Sequence, residues 1–442
     1  MTTLTQINLN AAGIDIGSKE IWVCVPEGRD ESSVKCYGSY TEDLRSISKW
    51  LKTCGVKTVA MESTGIYWIP LYEVLGGDGF EVCLINSRQI KNVNGRKSDI
   101  ADCQWIQQLH TYGLLKSSFI VDKEIKRIRE LNRQRENLLR TRSTHILRMQ
   151  KSLEVMNIKI TEVLSDITGA TGLRIIRDIL SGKRDPEELS NNRDFNCKSS
   201  KEEIKKALDG NYLEEQVFIL QQELGFYEYC TKKIEECDKY TEELFSKYEK
   251  KLASKEDLKN NGEKKKKPNK NTPRYDLSGC LYEIAGVDLT QVDGLSASTV
   301  QTILSEIGTD MSKWDGVKNF TSWLKLCPNN AITGGKVIYQ KSSKTKNRAT
   351  QALKMAALAL THSDSWLGRF YRRKRATLGP AKAIVATAHK LAKIVYHMLK
   401  FRVPYKALDK NYFEDMNRER LIKNLKTRAS KFGFILEPIL AD

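Results

Sequence analysis

The stretch Lys97-Ser98-Asp99-Ile100-Ala101-Asp102 places two carboxylates three residues apart at the start of a predicted helix, residues 100–109. Residues i and i+3 share a face of an α-helix, so Asp99 and Asp102 can converge on one point. The alternative for Asp99 alone is a helix cap, because it directly follows a serine.

Two further carboxylates lie upstream, each near the end of a predicted strand. Asp15 belongs to Gly13-Ile14-Asp15-Ile16-Gly17-Ser18, and Glu62 belongs to Ala60-Met61-Glu62-Ser63-Thr64-Gly65. Four converging carboxylates are typical ligands of a hard cation such as Mg²⁺. Paired metal ions of this kind catalyse phosphoryl transfer. The alternative, that all four are caps and surface charges, does not explain why they all lie at the ends of elements of one fold.

The order of elements predicts the fold of this region. Strands are predicted at residues 11–16, 21–25, 33–37, 58–61 and 81–85, with a helix beginning near Thr41, which is a possible cap, and another around residues 72–75. Three strands followed by α-β-α-β-α is the order of the ribonuclease H and Holliday-junction-resolvase (RuvC-like) fold. Functional sites in open α/β sheets lie beyond the ends of the strands. The fold therefore predicts a site at the strand ends, which is where the acids are predicted to lie.

Composition favours a polyanionic partner. The chain has 73 basic and 55 acidic residues, a net charge of +18, which suits nucleic acid, although a merely soluble basic protein is the simpler alternative. No apolar run approaches the roughly 20 residues that cross a bilayer. Residues 1–10 are polar, and ten cysteines include no Cys-x-x-Cys pair. We therefore expect a cytoplasmic protein without disulfides, zinc or membrane contact.

Two heptad patterns dominate the middle of the chain. The first runs from Ile125 to Val163, roughly 55–60 Å of helix, and only Asn132, Arg135 and Arg142 interrupt its apolar positions. The second runs over residues 213–248, after shorter predicted helices at 173–180 and 201–208. These patterns predict coiled-coil arms that pair within the chain, between chains, or both. A dimer is expected because a single arm cannot bury its apolar positions alone.

The last part of the chain is predicted to be all-α, with helices at residues 297–307, 348–360, 366–378 and 381–401. Val292-Asp293-Gly294-Leu295, followed by a capped helix, resembles a helix-hairpin-helix turn that binds phosphate. A lysine-rich linker precedes this part. The expected domains are an α/β RuvC-like domain, a coiled-coil domain, the linker, a helical domain and a tail, at residues 1–118, 119–250, 251–276, 277–410 and 411–442.

A polar loop at residues 328–336 carries a hydroxyl beside Gly334, Gly335 and Lys336. Glycines permit close backbone approach, and Thr333 would be a nucleophile if it were activated. The simpler interpretation is an ordinary turn, and the run is not a Walker A loop because its first glycine is missing.

Arginines cluster at two places that suit a phosphate backbone, although any single one is as easily a solvated surface residue. One cluster lies in the first heptad region and the other at residues 369–375. The residues expected to bind nucleic acid are Arg127, Arg129, Arg133, Arg140, Lys336, Arg348, Arg372 and Arg373.

The chain as a whole resembles the DEDD-type insertion-sequence transposases, the RNA-guided bridge recombinases. The N-terminal motifs are those around Asp15, Glu62, Asp99 and Asp102. The C-terminal motifs are Val292-Asp293-Gly-Leu-Ser-Ala-Ser-Thr, Trp323-Leu-Lys-Leu-Cys-Pro-Asn-Asn-Ala-Ile-Thr333-Gly-Gly-Lys336, Asn347-Arg348-Ala and Ala388-His389-Lys390-Leu-Ala. Several motifs in the right order make the resemblance specific.

The resemblance implies a mechanism. The four acids bind Mg²⁺, and a hydroxyl of the C-terminal domain attacks the scissile phosphate to form a covalent protein–DNA link. A structured noncoding RNA pairs with donor and target DNA, and dimers assemble into tetramers in which one subunit's acids meet another's hydroxyl. The family's nucleophile is typically serine, whereas Thr333 stands at the matching position. Ser342 and Ser343 are the alternatives, and the copy could also be impaired.

Two other functions fit part of the sequence. A metal-dependent structure-specific nuclease of the resolvase type would use the four acids with water but leaves the C-terminal domain idle. A non-catalytic nucleic-acid scaffold explains the charge and the heptads but not the acids.

Overall fold

The computed structural model describes residues 5–86, 98–248, 270–334, 336–341, 347–408 and 412–437. The chain forms two compact units, Met1–Ile120 and Val121–Asp442. The finer division into five domains stays a prediction. None of the helices in the described ranges combines the length and apolar composition that crossing a bilayer requires.

The first unit is built on one five-stranded mixed sheet. Its strands are β1 (Ala11–Ile16), β2 (Ile21–Cys24), β3 (Val34–Tyr37), β4 (Thr58–Glu62) and β5 (Glu81–Ile85), in the order β3-β2-β1-β4-β5. β1 is antiparallel to β2 and parallel to β4, and β4 is parallel to β5. The α/β architecture predicted from the element order is therefore confirmed, and it is compatible with a RuvC-like domain.

Three helices pack against the sheet: α1 (Thr41–Thr53), α2 (Trp68–Gly77) and α3 (Asp99–Thr111). On one face of the sheet, Ile14 of β1 and Met61 of β4 belong to a core that also contains Ile47 of α1 and Leu71 of α2. All four side chains are fully buried. This face therefore carries the main apolar core of the first unit.

The opposite face of the sheet holds α3. A Cβ at Gly13 of β1 would clash with the backbone of Gln107 and Cys103, so only glycine lets α3 lie this close to β1. Alternate residues of a strand point to opposite faces. Because Ile14 and Met61 face the core, Asp15 and Glu62 lie on the α3 face.

Two details of the first unit differ from the prediction. α1 begins at Thr41 itself, so the residue before the helix is Tyr40 and Thr41 is not the cap. α2 begins at Trp68, four residues earlier than expected. Helix ends depend on local hydrogen bonds more than on apolar periodicity, which explains why the predicted ends are the less accurate part.

The second unit is mostly helical, and two long helices form its longest feature. These are α4 (Lys123–Val155) and α9 (Glu214–Lys247), which pack against each other. Four short helices connect them: α5 (Ile160–Val163), α6 (Ala170–Leu180), α7 (Pro186–Ser190) and α8 (Lys201–Ala207). The prediction of one helix continuing to Val163 is wrong, because the chain turns after α4, where Asn157 adopts a left-handed φ of 57°.

The apolar heptad positions of α4 are buried or half-buried inside the chain. The polar residues that interrupt the heptads also have partners there: Arg135 binds Asp238 of α9, and Arg142 donates to Asn271 at 2.7 Å. Because these positions are covered within the chain, they do not by themselves require a second chain, and the argument from them to a dimer no longer holds. The two heptad regions do pair within the chain, one of the options left open.

The remaining α-helices among the described residues are α10 (Leu277–Ala285), α11 (Ala297–Ile307), α12 (Val317–Trp323), α13 (Arg348–Ala359), α14 (Trp366–Leu378), α15 (Pro380–Phe401) and α16 (Tyr412–Lys431). An antiparallel hairpin, β6 (Asn329–Thr333) and β7 (Lys336–Lys341), lies between α12 and α13. The all-α prediction for this part is therefore corrected to mostly helical. Most of the predicted lysine-rich linker, residues 251–269, lies outside the described residues.

The turn compared with a helix-hairpin-helix motif lies between α10 and α11. Gly294 has a φ of +86°, and a Cβ there would lie 2.8 Å from Leu360 and 3.0 Å from the Ala356 carbonyl oxygen. Ser296 caps α11 by accepting the Thr299 backbone N–H. The glycine is thus explained by backbone conformation and close packing against α13.

Candidate catalytic site

Asp15 and Glu62 occupy adjacent positions on neighbouring strands. Ile14 pairs with Met61 in the parallel β1–β4 ladder, which places the next residue of each strand, Asp15 and Glu62, side by side. Across the antiparallel ladder, Asp15 pairs with Trp22. The two predicted acids and an indole therefore form a row on the α3 face of the sheet.

Asp99 and Asp102 lie in the first turn of α3. The N-cap of this helix is Ser98, whose side chain accepts the Ala101 backbone N–H at 3.3 Å. Asp99 is therefore not the cap, which removes that alternative. Asp99 is exposed and Asp102 is half-buried.

The four acids share one electrostatic environment. Burial, followed by the negative charges of Glu62, Asp102 and Asp99, raises the pKa of Asp15 to about 6. Each of the other three carboxylates therefore lies close enough to disfavour ionisation of Asp15. The structure brings together the four acids of the sequence prediction on one face of the first unit.

Their arrangement is not that of a closed metal site. Within the ranges that the structure describes, which omit residues 87–97, no three His, Cys, Asp or Glu side chains are placed to hold one ion. The chemistry of the donors nevertheless fits a hard divalent cation, because all four are carboxylates and their mutual repulsion disfavours the ionised form of Asp15. A cation would offset that repulsion.

The turn after β4 contains a residue that sequence reasoning missed. Thr64 Oγ1 donates a hydrogen bond to Glu62 Oε1 at 3.3 Å, and the Ser63 backbone N–H donates to the Ile85 carbonyl at 2.9 Å. These contacts hold the carboxylate and its strand end. The sequence feature that could have indicated this role is the hydroxyl residue two positions after the acid, in the motif Glu62-Ser63-Thr64-Gly65.

Thr333 lies in the second unit, at the tip of the β6–β7 hairpin and not in an irregular loop. It pairs with Lys336, the side chains of both residues are exposed, and Gly334 between them has a φ of +55°. A two-residue hairpin turn commonly needs positive φ, which explains the glycine. The alternatives Ser342 and Ser343 lie outside the described residues.

Two family models match the chain in the order of these two sites. A DEDD transposase model of the IS110 type matches residues 12–158, and a model described as transposase IS116/IS110/IS902 family matches residues 288–372. The chain belongs to the DEDD-type insertion-sequence transposases. The first match includes Asp15, Glu62, Asp99 and Asp102, and the second includes Thr333. No curated protein matches the chain significantly.

This transposase is therefore a DNA recombination enzyme, and DNA is its substrate. The arginines on α4 that were predicted to bind nucleic acid fall into two groups. Arg127 and Arg140 are exposed. Arg133 instead donates two hydrogen bonds to the carboxylate of Glu306, at 2.9 and 2.8 Å. Arg129 is partly buried, which lowers its pKa, and its Nε lies 3.6 Å from Glu130 Oε1.

The other predicted contacts of the transposase also differ in exposure. Arg348 is half-buried and forms an ion pair with Glu136 at 2.7 Å. Arg372 and Arg373 are exposed on α14, and Arg372 donates to the Ser363 carbonyl at 2.8 Å. An exposed guanidinium group presents donors to solvent and hence to phosphate, whereas Arg133 and Arg348 would first have to leave a carboxylate.

Proposed function

We propose that this transposase cuts and rejoins DNA through the four acids and a covalent link to Thr333, with a structured noncoding RNA choosing the sites. The observation that supports the proposal best is the coupling of Asp15 to Glu62, Asp99 and Asp102. Such a cluster of carboxylates suits phosphoryl transfer better than passive DNA binding. The cytoplasm is the proposed location.

The acids would hold Mg²⁺, which when bound supplies stabilisation of negative charge on the scissile phosphate. Asp15, partly buried between Glu62 and α3, is the central ligand in this proposal. Thr64 orients Glu62 by donating to one oxygen, which leaves the other oxygen of that carboxylate as a ligand. Asp99 and Asp102 complete the set from the first turn of α3.

Thr333 is the proposed nucleophile. Its Oγ1 attacks phosphorus and gives its proton to water. The bond from phosphorus to one sugar oxygen breaks, and that oxygen takes a proton from water and leaves as a sugar hydroxyl. Attack by another DNA hydroxyl then rejoins the strand and releases Thr333. The exposed hairpin tip supports this role, since an attacking side chain must reach DNA.

Homodimers that assemble into tetramers belong to the same proposal, with coiled-coil contacts between chains. A groove of about 450 Å³ is lined by residues of both α4 and α9. Leu131, Leu138, Tyr229 and Tyr240 contribute to its lining. This surface is separate from the buried positions between the helices and offers apolar area to a second copy.

A trapping assay tests the mechanism. The full-length protein is incubated with Mg²⁺, the flanking noncoding RNA and element-end DNA, then denatured, and DNA-linked peptides are sequenced by mass spectrometry. We expect an adduct on Thr333 that is lost in Thr333→Ala and kept in Thr333→Ser, which retains the hydroxyl and removes a crowding methyl. An adduct on Ser342 or Ser343 would move the nucleophile.

The same assay separates the alternative functions. Cleaved DNA without an adduct would identify a metal-dependent nuclease that uses water. Biological activity that is unchanged in Asp102→Asn would contradict an essential role of the acids and favour a scaffold. Omitting the RNA tests guidance, because an unguided enzyme would produce the same adduct without it.

A further inference from the structure

Two large apolar side chains lie exposed directly beyond Glu62. Ile66 is 71% exposed and Tyr67 is 48% exposed. They follow each other in the turn between β4 and α2. Single exposed apolar residues are common on protein surfaces. An adjacent pair of them beside an acidic site of a DNA enzyme instead indicates a binding surface.

The turn holds this pair at a defined place. The Tyr67 backbone N–H donates to the Thr64 carbonyl at 3.3 Å and closes a β-turn, in which Gly65 has a φ of +55°. Such a turn keeps the Cα atoms of its first and last residues within about 7 Å. The Thr64 side chain donates a hydrogen bond to Glu62, a proposed catalytic carboxylate. Tyr67, at the other end of this β-turn, therefore lies one turn away from that carboxylate.

The neighbouring aromatic residues are used differently. Trp68, the first residue of α2, packs against the core of the first unit, and its ring meets Tyr72 edge-on with centroids 5.7 Å apart. Tyr72 also packs against that core. Helix α2 thus directs Trp68 inward while the turn leaves Ile66 and Tyr67 outside.

We propose that Ile66 and Tyr67 bind an unstacked base of the DNA strand next to the phosphate that the acids cleave. This inference rests on the proposed function of the acids. Ile66 acts as an apolar wedge between base steps, and the Tyr67 ring stacks on the base it displaces. Apolar wedges that unstack base steps kink DNA, and aromatic rings bind any base through its π-face.

DNA is the occupant that fits best, because the turn that exposes Ile66 and Tyr67 is joined to Glu62 by the Thr64–Glu62 hydrogen bond. A base adjoining a phosphate held by the acids would lie within reach of a side chain one turn away. Stacking requires no particular base, so this contact would position the strand while sequence choice comes from elsewhere.

The test uses element-end DNA with 2-aminopurine at the nucleotides flanking the cleaved phosphate. Its fluorescence reports base stacking, and it is measured with full-length protein and guide RNA before Mg²⁺ is added. Tyr67→Ala is compared with Tyr67→Phe, which keeps the ring, and with Tyr40→Ala. Tyr40 is 81% exposed in the same unit and lies before α1, so it is a matched control.

We expect Tyr67→Ala to lose the fluorescence change and to slow cleavage by roughly tenfold or more, the loss associated with one stacked base. Tyr67→Phe and Tyr40→Ala should behave as wild type, and Ile66→Ala should reduce the change. The proposal is overturned if Tyr67→Ala keeps the full fluorescence change, or if Tyr40→Ala loses as much.

The 2-aminopurine fluorescence tests base stacking separately from the cleavage reaction proposed for the acids. If Asp102→Asn still cleaves DNA, the function proposed for the acids fails, whatever the fluorescence shows. If Asp102→Asn abolishes cleavage while Tyr67→Ala matches wild type in both measurements, only the stacking proposal fails. Melting temperatures of the Tyr67, Ile66 and Tyr40 variants should equal that of wild type, because these side chains are exposed.

Discussion

The guanidinium group of Arg135 on α4 forms a buried ion pair with the carboxylate of Asp238 on α9. Arg135 Nη2 lies 3.2 Å from Asp238 Oδ2 and also donates to the Asn271 carbonyl at 2.8 Å. Both side chains are about nine-tenths buried. An arginine that interrupts an apolar heptad therefore binds protein and not DNA.

Replacing one partner of this pair should destabilise the second unit. Arg135→Ala leaves Asp238 buried without its charge partner, and we expect the free energy of unfolding to fall by about 3–5 kcal/mol. Urea denaturation measures the change. The double variant Arg135→Met/Asp238→Leu should recover most of the loss, and a double variant as unstable as Arg135→Ala would contradict the explanation.

Alanine variants of two arginines on α4 should have different effects, one on nucleic-acid binding and the other on protein stability. Arg140 has a side chain that is 73% exposed, whereas Arg133 binds Glu306. Arg140→Ala should weaken nucleic-acid binding and reduce the slope of log affinity against log salt by about 1, with unchanged stability. Arg133→Ala is the matched variant and should lower stability while keeping the slope. The reverse pattern would show that the burial of these residues does not determine their roles.

Stability should depend on the ionisation of Asp15 when no divalent cation is added. Its pKa is raised to about 6 in the folded protein, so the folded state binds the proton more tightly than the unfolded state. The resulting stabilisation is fully present below about pH 4 and is lost as pH rises through about 6. The difference in melting temperature between wild type and Asp15→Asn should therefore change over this range, with the variant more stable at about pH 7–8.

A pH-independent difference between these two proteins would contradict the electrostatic coupling of the acids. Adding Mg²⁺ at about pH 7–8 supplies a second readout, because it should raise the melting temperature of wild type more than that of Asp15→Asn. Equal shifts in both proteins would mean that Asp15 is not a ligand.

Thr64 should act on the reaction through Glu62. Thr64→Val removes the donor and keeps the shape, so we expect kcat for DNA cleavage to fall by about tenfold with little change in KM, as loss of an oriented carboxylate would predict. Thr64→Ser keeps the hydroxyl and should restore the rate. Failure of serine to restore it would favour a purely structural role for the threonine side chain.

The sequence predicted the sheet of the first unit well because strands are recognised from local alternation of apolar residues. β1 and β5 have the predicted bounds, and the order of elements follows from the chain itself. The positions of the acids relative to strand ends followed from the same pattern. The mutual placement of Asp15, Glu62, Asp99 and Asp102 required the fold, because it depends on how β1, β4 and α3 pack.

Sequence by itself determined the α/β element order, the heptad periodicity and the family to which the chain belongs, since each is written in local spacing and motifs. Tertiary structure alone decided which long-range partner each polar residue has. Arg135 and Arg140 are the same residue type on one helix, but only Arg135 binds Asp238 of α9, a residue 103 positions away in the chain. Periodicity assigns a residue to a helix face, and only packing decides whether that face meets a carboxylate, DNA or water.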